Sequence, residues 1–142
     1  MINLKFVDAT VFIHAYLKPS RKLEPHEKEL KKGARQIIER IENGEKVTTS
    51  VVHFTETANI LEDFFPTEKA LTIESSILTK ENIEILTVSK KDYKNAMARA
   101  LGEGKGINDL LAYVLMKKND IKQIYSFDQD FDDIENIDRI TE

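Results

Sequence analysis

Short apolar runs alternate with longer segments of helical periodicity along most of this chain. The run Ile2-Asn3-Leu4-Lys5-Phe6-Val7 predicts a strand over residues 2–7, closed by Asp8, and Thr10 to Leu17 predicts a short helix. Lys18 to Pro25 has loop character, and its two prolines are expected to break any helix there. From Glu27 to Asn43 the apolar positions Leu30, Ala34, Ile37, Ile38 and Ile41 keep helical spacing, and Gly44 ends the helix. A second strand is expected over residues 46–49. A helix capped by Thr49 or Ser50 then runs to about Phe64, and Pro66 starts another through Thr79. A third strand over 83–88 precedes a helix from Ser89 to Leu101. Gly102, Gly104 and Gly106 form a flexible joint before an apolar helix over 107–118. A fourth strand follows over 123–127 and a fifth over 137–140.

Strands that alternate with helices imply parallel pairing, with helices covering both faces of a sheet of four or five strands. In such α/β sheets, ligands bind beyond the carboxyl ends of the strands. Asp8 and Asp128 stand at two of those ends. With 142 residues and no linker, repeat or low-complexity tract, residues 1–142 read as a single domain.

Composition narrows the functional classes. Hydrophobic residues make up 41% of the chain, enough for one core, and charged residues 32%, above the roughly 25% of an average domain. Cysteine is absent, which excludes disulfides and thiolate metal sites. There is no apolar run of the roughly 18 residues that a membrane span needs, and no signal-peptide pattern, so a cytoplasmic protein without membrane contact is expected. A net charge of −4 argues against general coating of nucleic acid, but not against a nuclease whose carboxylates are neutralised by metal.

The candidate chemistry is carboxylate. Asp8 lies between an apolar strand and an apolar helix, where it is either an N-cap or a ligand. Thr10 supplies a hydroxyl to orient it. Glu56 lies in the second turn of its helix, with Thr55, Ala58 and Leu61 expected on the buried side. Asp109 opens the helix at 107–118, where Asn108 is expected to provide the cap and leave Asp109 free; the competing role for Asp109 is to complement the helix dipole. Asp128 and Asp130 sit in a polar turn after the fourth strand, with Asp128 ranked first. Brought together, these acids repel and raise one another's pKa, a conflict that a hard divalent cation such as Mg²⁺ or Mn²⁺ resolves. His14, His26 and His53 read as structural or exposed, with His53 alone near the site. No nucleophile elbow, phosphate loop or dinucleotide fingerprint is present.

In order, these residues resemble the PIN-domain ribonucleases, and in size the VapC-type toxins of prokaryotic toxin–antitoxin pairs. The motifs are Phe6-Val7-Asp8-Ala9-Thr10-Val11-Phe12-Ile13, Ser50-Val51-Val52-His53-Phe54-Thr55-Glu56, Asn108-Asp109-Leu110-Leu111-Ala112 and Ser126-Phe127-Asp128-Gln129-Asp130-Phe131. The family often has Asn where Thr10 stands and Thr where Ser126 stands; both replacements keep a hydrogen-bonding group. The resemblance implies a three-layer α/β/α fold with a central parallel sheet and the acids at one edge. It implies Mg²⁺- or Mn²⁺-dependent RNA cleavage, with Asp8, Glu56, Asp109 and Asp128 catalytic and, with Asp130, metal-binding. It also implies RNA as substrate, a small antitoxin as partner, and a homodimer. Lys90, Lys91, Lys94, Arg99 and Lys105 are candidates to guide the RNA backbone, against the simpler role of a solvated face. The proline-containing insertion after Lys18 is a place where substrate or partner contacts can differ.

Three other readings are weighed. A processing nuclease without antitoxin uses the same chemistry. A catalytically silent PIN-like binding module is disfavoured by the presence of all four acids. A receiver or phosphatase domain is also α/β with Asp at strand ends, but a phosphatase of the haloacid-dehalogenase type wants a second Asp two residues after the first, where this chain has Thr10.

Overall fold

The structure, a computed structural model, describes residues 3–142; Ile2, part of the expected first strand, lies outside the described residues. Among the described residues the chain forms β1 (Lys5–Val7), α1 (Ala9–Tyr16), α2 (Pro25–Glu42), β2 (Val47–Ser50), α3 (Val51–Phe64) and α4 (Thr67–Thr79). It continues with β3 (Ile83–Leu86), α5 (Lys90–Glu103), α6 (Ile107–Lys118), β4 (Gln123–Tyr125), a 3-10 helix (Gln129–Asp133) and β5 (Asp138–Ile140). The sheet order is β3-β2-β1-β4-β5 and every pairing is parallel, so all five carboxyl ends share one edge.

Alternation along the central strands divides the core in two. Phe6 and Ile124 face a layer built from α5, α6 and the 3-10 helix, with Leu110, Leu111, Leu115 and Phe131 buried there. Val7 and Tyr125 face the opposite layer, where Val11, Phe12, Ile37, Ile41 and Ile77 of α1, α2 and α4 pack. This is the three-layer α/β/α arrangement expected for the PIN-like fold.

The strands end sooner than their apolar runs. β3 stops at Leu86, not Val88, because its last ladder partner is Ser50, where β2 turns into α3. β4 stops at Tyr125, opposite Val7; beyond it the Phe127 N–H donates to the Thr10 hydroxyl at 3.0 Å instead of to a strand.

The loop expected around the two prolines is present over residues 17–24, but Pro25 itself belongs to the helix that follows. It is the first residue of α2, where its missing N–H would be unpaired anyway and its fixed φ suits the first turn. Glu27 supports this start: its Oε1 accepts the Glu24 N–H at 2.9 Å. Ser50 and Ser89 cap α3 and α5 with their hydroxyls, as their positions suggest. Of the glycine joint, Gly102 lies inside α5, Gly104 closes that helix with φ +68°, and Gly106 occupies the N-cap position of α6.

Candidate active site

Asp8 lies where β1 passes into α1. Its N–H donates to the Tyr125 carbonyl at 3.0 Å, and its extended backbone places it at the N-cap position. Its side chain makes no capping bond. Instead, Oδ2 accepts from the Thr10 hydroxyl at 2.8 Å and from the Ser126 hydroxyl at 2.8 Å. The two candidate roles therefore separate: the backbone is at the cap, while the carboxylate is turned along the sheet edge and is 4% exposed. Both hydroxyls are occupied twice. Thr10 also accepts the Phe127 N–H, and Ser126 accepts the Asp128 N–H at 3.0 Å, so the Asp8 and Asp128 turns are tied together.

Asp128 Oδ1 accepts the Asp130 N–H at 2.9 Å and starts the 3-10 helix. That turn brings Asp130 round towards the first turn of α6. One carboxylate oxygen from each of Asp109, Asp128 and Asp130 lies within 4.8 Å of the others. Desolvation raises the Asp109 pKa to about 7, helped by the charges of Asp128, Asp8 and Asp130 and by hydrogen bonding to Asp128. The Asp8 charge thus acts on the trio from the neighbouring strand end.

Glu56 is half-buried in α3 and stands outside this trio. The Asn108 amide donates to Glu56 Oε2 at 3.1 Å. This corrects the expectation that Asn108 caps α6: Gly106 holds the N-cap position, and the Asn108 side chain reaches to α3. The carbonyl of Asn108 meets His53 Nε2 at 3.1 Å. A carbonyl only accepts, so Nε2 carries the proton and Nδ1 takes a hydrogen bond from the Ser50 hydroxyl, 2.6 Å away. Burial lowers the His53 pKa, against the opposing charges of Asp8 and Glu56. His53, 1% exposed and edge-on to Phe6, is a neutral strut linking α3 to α6 beneath the acids. Thr55 is exposed, not buried as expected; helical rotation puts Thr57 on the buried side with Ala58 and Leu61.

Among the described residues, none of the five acids forms an ion pair. The nearby cations are committed elsewhere: Arg139 grips Asp132 and Lys105 pairs with Asp133. Crowded, partly desolvated carboxylates with only oxygen donors and no cationic partner fit a hard divalent cation. Sequence reasoning passed over Asn108 as a link between helices. Its position beside Asp109 was the one available signal.

The family model described as PIN domain matches residues 5–137. Among curated proteins, none matches the sequence. Among solved structures, VapC20 of Mycobacterium tuberculosis, a sarcin–ricin loop cleaving toxin, superposes with a TM-score of 0.70 at 18% identity, covering 91% of this chain and 92% of that one. A toxin–antitoxin complex from Klebsiella pneumoniae gives 0.63 at 12% identity, covering 94% and 95%. VapBC2 from Rickettsia felis, bound to a DNA fragment from its promoter, gives 0.63 at 14% identity, covering 96% of each.

Proposed function

The chain belongs to the PIN domain family, and from that premise we propose that it is a divalent-metal-dependent ribonuclease acting as the toxin of a toxin–antitoxin pair. The observation that carries the reading is the unpaired trio of Asp109, Asp128 and Asp130 beside Asp8 at the carboxyl edge of the sheet. Asp8, Asp109, Asp128 and Asp130 would hold Mg²⁺ or Mn²⁺, with Glu56 held on the same side by Asn108. When bound, the cation activates water at neutral pH and draws charge from the phosphate.

The remaining work belongs to the chain. Thr10 and Ser126 fix Asp8 in one rotamer. Ser126 and the 3-10 helix set Asp128 and Asp130. The neutral His53 strut fixes the Asn108 backbone, and through it Glu56, without adding a charge that would compete with a cation. No side chain is needed as a nucleophile.

The toxin reading draws on two of the structural relatives named above, VapC20, described as a toxin, and the Klebsiella pneumoniae toxin–antitoxin complex. It is also consistent with exposed apolar residues such as Phe64, Leu71 and Leu78 on α3 and α4, which suit a protein partner. No helix among the described residues is long and apolar enough to cross a membrane.

Incubation with total RNA in Mg²⁺, Mn²⁺ or excess EDTA tests the chemistry. Cleavage is expected with either cation and none with EDTA. Cleavage that persists in EDTA would require a different mechanism and would reject the metal site.

A further inference from the structure

Of the five cations named from sequence as guides for RNA, Lys90, Lys91 and Lys94 are exposed on α5 and form no ion pair among the described residues, whereas the other two are engaged. Arg99 pairs with Glu103 and stacks over Tyr113, and Lys105 pairs with Asp133. A different basic surface lies on the other layer. α2 carries Lys28, Lys32 and Arg35 along one face, and Lys18 of the preceding loop stands opposite; together with Pro19 and Leu23 they line a cleft of about 610 Å³. All four cations are exposed, and among the described residues none forms an ion pair. The fifth, Lys31, is buried and spent on structure, donating to the carbonyls of His14, Ala15 and Leu17 at the end of α1. It anchors the loop that brings Lys18 across the cleft. What sets these four apart is that they gather at one cleft, in a chain of net charge −4.

The cleft leads to the acidic edge. Gly33 is pressed so closely against the Thr141 carbonyl and the Phe127 ring that a side chain there would collide. Thr141 and Phe127 follow the carboxyl ends of β5 and β4, so α2 crosses the sheet edge that holds the acids. Lys32 and Gln36 also line a second groove of about 410 Å³ with Phe127, Gln129 and Arg139, where Glu29 and Glu142 are the acidic neighbours. Phe127 and Gln129 flank Asp128. Arg139 is taken by Asp132, which leaves Lys32 as the unpaired cation between the two grooves.

We propose that this continuous path, from Lys18, Lys28, Lys32 and Arg35 through the Phe127–Gln129 groove, holds the RNA strand that leads into the acidic edge. The proposal rests on the ribonuclease reading above. Unpaired lysines and arginines suit phosphate oxygens, and neutralising phosphates releases counterions from the strand. An apolar wall at Pro19, Leu23 and Phe127 suits the bases of a single strand, whose faces are free. The insertion between α1 and α2 supplies Lys18, Pro19 and Leu23, so this path is built from the part of the chain set apart by its sequence.

The test is binding of a fluorescein-labelled single-stranded RNA of mixed sequence, followed by anisotropy in EDTA over a series of salt concentrations. The variant Lys28→Gln/Lys32→Gln/Arg35→Gln is compared with Lys46→Gln/Lys80→Gln/Lys122→Gln, which removes equal charge at the opposite edge of the sheet. Thermal melts confirm that both fold. The first variant should bind more weakly, with a salt slope smaller by about 2, roughly 0.7 per lost phosphate contact. The second should keep the wild-type slope. Equal slopes in all three proteins overturn the proposal. A polyglutamate peptide that binds the wild type but not the first variant, with RNA affinity unchanged, also overturns it and assigns the cleft to an acidic protein segment. Cleavage by the wild type in Mn²⁺ is scored separately: cleavage with unaltered slopes rejects the path and leaves the ribonuclease reading standing, whereas a wild type that neither binds nor cleaves RNA rejects both.

Discussion

The Ser126 hydroxyl donates to the Asp8 carboxylate at 2.8 Å across 118 residues of sequence. The same oxygen accepts the Asp128 N–H, so one buried hydroxyl sets the position of two acids on neighbouring strand ends.

Ser126→Ala should therefore damage the site more than the fold. The loss leaves the Asp128 N–H without its acceptor and Asp8 with one donor fewer, at a cost of about 1–3 kcal/mol. Groups that orient metal ligands typically change affinity by about 10–100-fold when removed. Calorimetric titration with Mn²⁺ should show a loss in that range, and Ser126→Thr should restore most of it. An alanine variant with wild-type Mn²⁺ affinity would show that the hydroxyl bridge is incidental.

Asp109 sets a pH dependence in the metal-free protein. Its folded pKa, raised to about 7 mainly by desolvation, exceeds its ordinary value, so the folded state holds the proton more tightly than the unfolded chain does. The stability Asp109 contributes therefore falls as pH rises from about 4 to about 7 and is flat above that. Discounted for its partial exposure, the loss is about 1–2 kcal/mol. In EDTA, Asp109→Asn should melt like the wild type near pH 4 and progressively higher than it up to pH 7. Excess Mn²⁺ at pH 7.5 should raise the melting temperature of the wild type by more than that of the variant. A wild type that gains stability relative to Asp109→Asn between pH 4 and 7 in EDTA would contradict the assigned shift.

Gly33 tests how α2 is seated over the sheet edge. A methyl group there meets the Thr141 carbonyl, so Gly33→Ala must displace either the helix or the chain after β5. Overpacking of this kind costs about 1–3 kcal/mol. Urea unfolding should show that loss, together with faster amide exchange at residues 138–141. Unchanged stability would mean that α2 is less closely docked than the geometry indicates.

Local signals carried most of the architecture. Ser50 and Ser89 announced their helices because a serine hydroxyl satisfies the third N–H of the turn it precedes. Asp8 was readable as a strand-end residue because β1 stops just before it, and Asp128 because the fourth apolar run stops there, although β4 itself ends at Tyr125. What was hidden is set by partners distant in sequence. Val88 and Phe127 look like strand, but β2 and β1 end too soon to pair with them. Thr55 and Thr57 differ by two residues, and only the docked orientation of α3 decides which is buried. Asn108 resembles a cap until α3 offers it Glu56. The cleft at Lys18, Lys28, Lys32 and Arg35 has no motif; it forms where the loop before α2, held through Leu17 by Lys31, lies against that helix.

The most direct test of the account is RNA cleavage in Mn²⁺ by the wild type and by Asp8→Asn, with both melts recorded in EDTA. The Asn carboxamide oxygen can still accept from Thr10 and Ser126, and one negative charge fewer relieves repulsion at the edge. The variant should therefore melt at or above the wild-type temperature while its cleavage falls to background. An Asp8→Asn protein that cleaves RNA like the wild type, or that melts far below it, would contradict the central claim: Asp8 would then be a structural residue and the acidic edge would not be the active centre.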